Sequence, residues 1–188
     1  MIPVEQINCY ILAGGQSKRM GRDKGLLSLG QESFVGHIRE QALSLFPEVT
    51  VITANPAYQK YAPCMPDLIP GKGPLGGLFT ALHKSPHRPV LLLSCDMPLL
   101  DAGLLRHFLK HCRPDTICLS RSSGRIHPFP GLYPPEIVGA VKKMLDEEHL
   151  KIMDLQGPSN PCIIDLEAFA GLMSNINTPE DYQKLNKQ

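Results

Sequence analysis

The run Val90-Leu91-Leu92-Leu93-Ser94-Cys95-Asp96 constrains the fold more than any other stretch of the chain. Successive side chains of a strand point to opposite faces, and here both faces are apolar as far as Leu93, which predicts a strand covered on both sides. Such a strand needs a layer above it and a layer below it, the arrangement of an α/β domain with a largely parallel sheet. The rest of the chain agrees. Strand-length apolar runs at residues 7–12, 49–53, 116–120 and 162–166 alternate with segments of helical period at 34–46, 74–84, 135–148 and 179–186. Asp101 reads as the N-cap of a further helix running to about Cys112. Pro63, Pro66 and Pro70 break the segment after the second strand, which is expected to be loop, and residues 127–133 are expected to form an edge or antiparallel strand.

With 188 residues the chain can bury a continuous core as one domain, residues 1–188. A formal net charge of +1 gives no general attraction for nucleic acid or acidic lipid, so any anion has to be bound locally. The six cysteines contain no C-x-x-C pair, and the first residues, Met1-Ile2-Pro3-Val4-Glu5-Gln6, lack a basic segment leading into an apolar one. These features predict a reducing cytoplasmic setting. No apolar run approaches the roughly 20 residues needed to span a bilayer, so no membrane role is expected.

The chemistry concentrates where the first strand runs into Leu12-Ala13-Gly14-Gly15. Glycine lacks the Cβ that would keep a ligand away from the backbone, so amides of this loop can point at phosphate oxygens. Within ten residues the same loop carries Lys18, Arg19, Arg22 and Lys24, a cation density that predicts a polyphosphate ligand. Five residues after Gly14 stands Arg19, and five after Gly15 stands Met20, where a Walker loop has its second glycine; a P-loop kinase or ATPase is disfavoured. Asp96 falls at the carboxyl end of the buried strand, the side on which open α/β sheets gather their ligands, and its carboxylate is the candidate Mg²⁺ ligand. Gly71, Gly73 and Gly76 formally satisfy G-x-G-x-x-G, which raises a dinucleotide-dependent oxidoreductase as the rival reading, but the prolines before them interrupt the strand that this fingerprint requires. His107 and His111 lie four apart without the Glu of H-E-x-x-H and read as surface residues.

Leu-Ala-Gly-Gly-x-Ser-x-Arg-Met-Gly-x-Asp-Lys, from Leu12 to Lys24, resembles the signature of molybdenum cofactor guanylyltransferases. Gly73-Pro74-Leu75-Gly76-Gly77, Cys95-Asp96-Met97-Pro98, His127-Pro128 and Asn175-Ile176-Asn177-Thr178-Pro179-Glu180-Asp181 resemble later blocks of that family in the same order. The resemblance implies an α/β, Rossmann-like three-layer nucleotidyltransferase fold with a mostly parallel central sheet. It also implies Mg²⁺-dependent transfer of GMP from GTP to Mo-molybdopterin, with molybdopterin-carrying and molybdoenzyme-assembly proteins as candidate partners. Carried over by position, it implies GTP contacts at Leu12, Ala13, Gly14, Gly15, Lys24, Asn55, Asp67 and Asp96, with Asp96 also on the metal and Arg19, Lys24 and Asp96 catalytic. His127, Lys151, Asn175 and Asn177 fall on the molybdopterin side, Lys151 standing where some relatives have an arginine. Relatives that transfer CMP typically begin Leu-Ala-Ala-Gly, so Gly14 favours GTP. A CTP-using or sugar-phosphate nucleotidyltransferase on the same fold, and a non-catalytic nucleotide-binding adaptor, are the remaining alternatives.

Overall fold

The computed structural model describes residues 2–13, 23–155, 157, 160–176 and 178–185. Among these, nine strands form: β1 (Asn8–Leu12), β2 (Ser28–Leu29), β3 (Glu32–Ser33), β4 (Val49–Ile52), β5 (Cys64–Met65), β6 (Val90–Ser94), β7 (Cys118–Ser122), β8 (Arg125–Tyr133) and β9 (Cys162–Asp165). Five α-helices accompany them: α1 (Phe34–Leu43), α2 (Gly73–Lys84), α3 (Ala102–His111), α4 (Val138–Asp146) and α5 (Pro179–Leu185). Seven strands make one sheet in the order β5-β4-β1-β6-β8-β7-β9, while β2 and β3 form a separate hairpin turned at Gly30, whose φ of +60° suits glycine. Only β8 runs against the others.

The apolar run of β6 behaves as its pattern demands. Leu91 and Leu93 enter a core with Ile11, Val51 and the buried faces of α1 and α3, among them Val35, Ile38, Leu104 and Phe108. Val90 and Leu92 enter the opposite core with Tyr10, Ile52 and the faces of α2 and α4, among them Leu75, Leu78, Val141 and Leu145. Three layers therefore follow from one strand with two apolar faces. The helix starts are set by local hydrogen bonds. Ser33 Oγ accepts from Gly36 N at 3.1 Å to cap α1, and Asp101 Oδ1 accepts from Leu104 N at 2.7 Å to cap α3. Thr178 and Asp181 cap α5 reciprocally, at 2.9 and 3.1 Å.

Two expectations change. The proline-broken segment contains a short strand, β5, because β4 offers it an open edge: Val51 N donates to Pro63 O and Thr53 N to Met65 O, at 2.9 and 2.8 Å. Pro63 and Pro66 bracket this two-residue strand and confine it to the margin of the sheet. Residues 127–133 are antiparallel as expected but lie inside the sheet, with β8 pairing β6 on one side and β7 on the other. No described helix is long and apolar enough to cross a membrane.

Candidate active site

From β1 the chain crosses to β4 on one side and later returns to β6 on the other, which opens a crevice above the carboxyl ends of β1 and β6. Backbone bonds hold these ends together: Ala13 N donates to Ile52 O and Cys95 N to Leu12 O, both at 3.1 Å. Four neighbouring parallel strands then carry a row of residues just past their carboxyl ends, in spatial order Asp67 after β5, Asn55 after β4, Leu12 and Ala13 at β1, and Asp96 after β6. At the usual strand separation this row spans about 14 Å. Helix α2 approaches β1 closely because Gly77 has no side chain; a Cβ there would lie 2.5 Å from Leu12 Cδ2. Gly14, Gly15 and Arg19, with Lys18 and Arg22, lie outside the described residues.

Next to the row, the chain re-enters at Asp23 and Lys24. Asp23 Oδ2 accepts from Asn55 Nδ2 at 3.0 Å, and its Oδ1 accepts a short hydrogen bond from the Tyr58 hydroxyl. Asn55 Oδ1 in turn accepts from Ala57 N at 3.0 Å, so both ends of that amide are engaged by the protein. Tyr58 is fully buried, and burial, reinforced by its hydrogen bond to the Asp23 carboxylate and by that group's charge, pushes its phenol well above the ordinary tyrosine range and keeps it a donor. Burial likewise pushes the Cys95 thiol far up, helped by the charges of Asp96 and Asp23 and opposed by that of Lys24. Cys95 is thus no thiolate nucleophile.

At the other end of the row, Asp67 is half-buried and its Oδ1 is buried without a hydrogen-bond partner. Burial raises its carboxyl pKa. Thr80 holds this corner: its Oγ1 accepts from Leu68 N and donates to Gly76 O, each at 3.0 Å. A buried carboxylate oxygen lacking a donor is costly, and its usual explanation is a ligand or a functional role.

The remaining candidates divide. His127 is half-buried at the start of β8, where antiparallel pairing brings it beside the carboxyl end of β7, and its Nε2 lies 3.4 Å from Ser122 O. Asn175 is exposed, but Ile176 N donates to Asp96 O at 2.9 Å, so this segment runs along the β6 terminus. Lys151 is exposed and pairs with Asp154 at 2.9 Å, a carboxylate that also meets His149 at 2.8 Å. Asn177 lies outside the described residues. The Gly71 loop does not follow a strand directly, since β5 stops at Met65 and Pro66 and Pro70 intervene, and Lys72 within it pairs with Glu148. The rings of His107 and His111 lie 4.7 Å apart on α3, tilted by 45°. Among the described residues no three His, Cys, Asp or Glu side chains converge on a metal position. Tyr58 escaped the sequence reading altogether. Asp23 belonged to the quoted signature without a role of its own.

Residues 9–158 match the family described as "MobA-like NTP transferase domain". A Flavobacterium johnsoniae protein named "Probable molybdenum cofactor guanylyltransferase" is 35% identical, with 97% of this chain and 98% of the relative aligned. The molybdenum cofactor guanylyltransferase of Syntrophotalea carbinolica is 31% identical, over 96% of this chain and 91% of the relative. In three dimensions the chain resembles the crystal structure of molybdopterin-guanine dinucleotide biosynthesis protein A from Archaeoglobus fulgidus, with a TM-score of 0.78, 18% identity, and coverage of 96% of this chain and 97% of the other. A mostly parallel sheet with Asp67, Asn55 and Asp96 just past its strand ends thus belongs to a chain that matches known proteins along most of its length: the chain belongs to the MobA-like nucleotidyltransferase family.

Proposed function

We propose that the chain transfers GMP from GTP to the terminal phosphate of Mo-molybdopterin, with release of pyrophosphate. The observation that carries this reading is the unpartnered, buried Oδ1 of Asp67 at one end of a row whose other end is Asp96. Guanine presents two adjacent donors, N1–H and the N2 amino group, and a carboxylate accepts both at once; cytosine has no such pair. With the base at Asp67, a nucleotide laid across the strand ends brings its phosphates to Leu12 and Ala13 and towards the Gly14-Gly15 loop and Asp96. Asn55, at the end of β4, lies between base and phosphates.

Asp96 fits Mg²⁺ by its donor chemistry: one half-buried hard oxygen ligand at the phosphate end, in a region where the described residues form no ready-made cage of protein ligands, matches an ion that keeps waters and binds through one or two carboxylates and substrate phosphates. When bound there, the metal would neutralise charge on the phosphate oxygens. The chain's own groups do the rest. The acceptor phosphate is already anionic at neutral pH, so no strong base is required, and the protein's task is to bring two anions together in line. An acceptor oxygen forms a bond to the α-phosphorus as the bond from that phosphorus to the pyrophosphate oxygen breaks. Lys24, with Arg19, stabilises the charge that passes to pyrophosphate. By resemblance to the family, His127, Lys151, Asn175 and Asn177 are assigned to the molybdopterin side. Incubation with α-labelled GTP or CTP, molybdopterin-loaded carrier and Mg²⁺ tests the reading. Label transferred from GTP and not from CTP supports it; transfer from CTP alone, or pyrophosphate release with no labelled product, refutes it.

A further inference from the structure

Tyr58 is buried among apolar side chains, where a phenylalanine would serve packing equally well, yet its hydroxyl is spent on Asp23. The ring also lies against Gly25: a Cβ on that glycine would overlap the phenol oxygen and sit 2.9 Å from Cε1. Tyr58 therefore touches the residues on both sides of Lys24. Asn55 adds a second hold, donating to the other oxygen of Asp23 while its own oxygen accepts from Ala57 N in the turn that carries Tyr58. Both oxygens of Asp23 already serve protein donors, which marks this carboxylate as an anchor and not a metal ligand. The turn it starts is closed by Leu26 N to Asp23 O at 3.2 Å and Leu27 N to Lys24 O at 3.0 Å, and passes directly to Phe34 through a 2.9 Å bond to Leu27 O.

We propose that Tyr58 is a positioning residue for nucleotidyl transfer, acting through Asp23 and Gly25 to fix Lys24 beside the row of strand-end residues. The idea rests on the function proposed above for what the lysine does there. A hydroxyl in the turn after β4 thereby governs the cation next to Asp23, a residue 35 positions away in the chain. The phenol stays protonated because it is buried, so the donor is present throughout the working pH range.

The test compares Tyr58→Phe, Lys24→Ala, the double variant and Asp23→Asn in the full chain. Charge that develops on the leaving group is met only in the transition state, so Tyr58→Phe is expected to lower kcat roughly ten- to a hundredfold with the KM for nucleotide within about twofold. The double variant is expected to be no slower than Lys24→Ala alone, which a loss of general packing would not produce. Asp23→Asn, which turns an amide nitrogen towards Asn55 Nδ2 or Tyr58, is expected to reproduce the Tyr58→Phe effect and serves if Tyr58→Phe does not fold. Amide exchange supplies a readout independent of turnover: Leu26 and Leu27 exchange faster in Tyr58→Phe while Leu91 and Leu93 do not change. Wild-type kcat in Tyr58→Phe, or additive effects in the double variant, overturns the proposal. Unchanged exchange at Leu26 and Leu27 overturns it even for a protein that transfers no nucleotide, whereas a wild type inactive with every nucleotide removes the assigned reaction alone.

Discussion

Replacing Asp67 by asparagine separates the stability cost of the site from its selectivity. In the folded chain the Asp67 carboxyl has a raised pKa, chiefly through burial, and Oδ1 has no donor. A carboxyl raised above its ordinary value of 3.8 favours the folded state in its neutral form; that contribution is whole below 3.8 and is lost as pH rises through the folded value. At neutral pH the wild type thus holds a poorly solvated charge that the neutral amide of the variant would not carry. An unsatisfied buried polar group costs about 1–3 kcal/mol, and because Asp67 is only half-buried the lower end applies, about 1 kcal/mol, or about 2–4 °C in Tm for a chain of this size. Asp67→Asn should therefore melt higher than wild type at neutral pH, and the difference should shrink as pH falls towards 3.8. Catalysis should move the other way. An amide offers guanine one acceptor and faces its second donor with a donor of its own; losing a bidentate pair costs about 1–3 kcal/mol, roughly a five- to 150-fold fall in kcat/KM for GTP. Inosine triphosphate, which lacks the N2 amino group, should be hurt less than GTP. Steady-state kinetics with GTP, inosine triphosphate and CTP, alongside thermal melts over pH, provide the assay. A variant with an unchanged GTP-to-CTP ratio, or one that melts lower than wild type at neutral pH, would refute the reasoning.

Asp96→Ala should abolish Mg²⁺-dependent transfer while leaving the far-ultraviolet circular dichroism spectrum unchanged; turnover at the wild-type rate would remove Asp96 from the reaction. Asp101→Ala removes the side-chain acceptor that caps α3 and should lower unfolding free energy by about 1 kcal/mol in urea titration, with little effect on KM for GTP. Leu91→Ala opens a void on one face of β6, where Leu91 is completely buried, and should destabilise by about 2–5 kcal/mol, read as a lower urea midpoint.

The parts of the fold legible in the sequence are those whose signal is their own. The run Val90 to Leu93 announces two covered faces, and Asp101 caps the helix that follows it, because each property belongs to contiguous residues. β5 could not be read in this way: its two residues are a strand only through bonds lent by β4, and the prolines around it argue for loop. The antiparallel sense of β8 was open to sequence reasoning but its neighbours were not, since alternation says nothing about which strand lies alongside. In the site, Asp96 could be placed from the strand it ends, while the positions of Asn55 and Asp67 came from resemblance to a family. The hydroxyl of Tyr58 meeting Asp23 and the orphaned oxygen of Asp67 are products of tertiary approach.

β5 has a further consequence. In the proposed arrangement the base is chosen beside a two-residue strand at the sheet's outer margin, while bond cleavage takes place near β6 in its middle. The marginal strand has a neighbour on one side only, so residues 63–70 can be exchanged without dismantling the pairings of β1, β4 and β6. Nucleobase choice then becomes a detachable property of this architecture, open to redesign as a cassette while the phosphate chemistry stays in place.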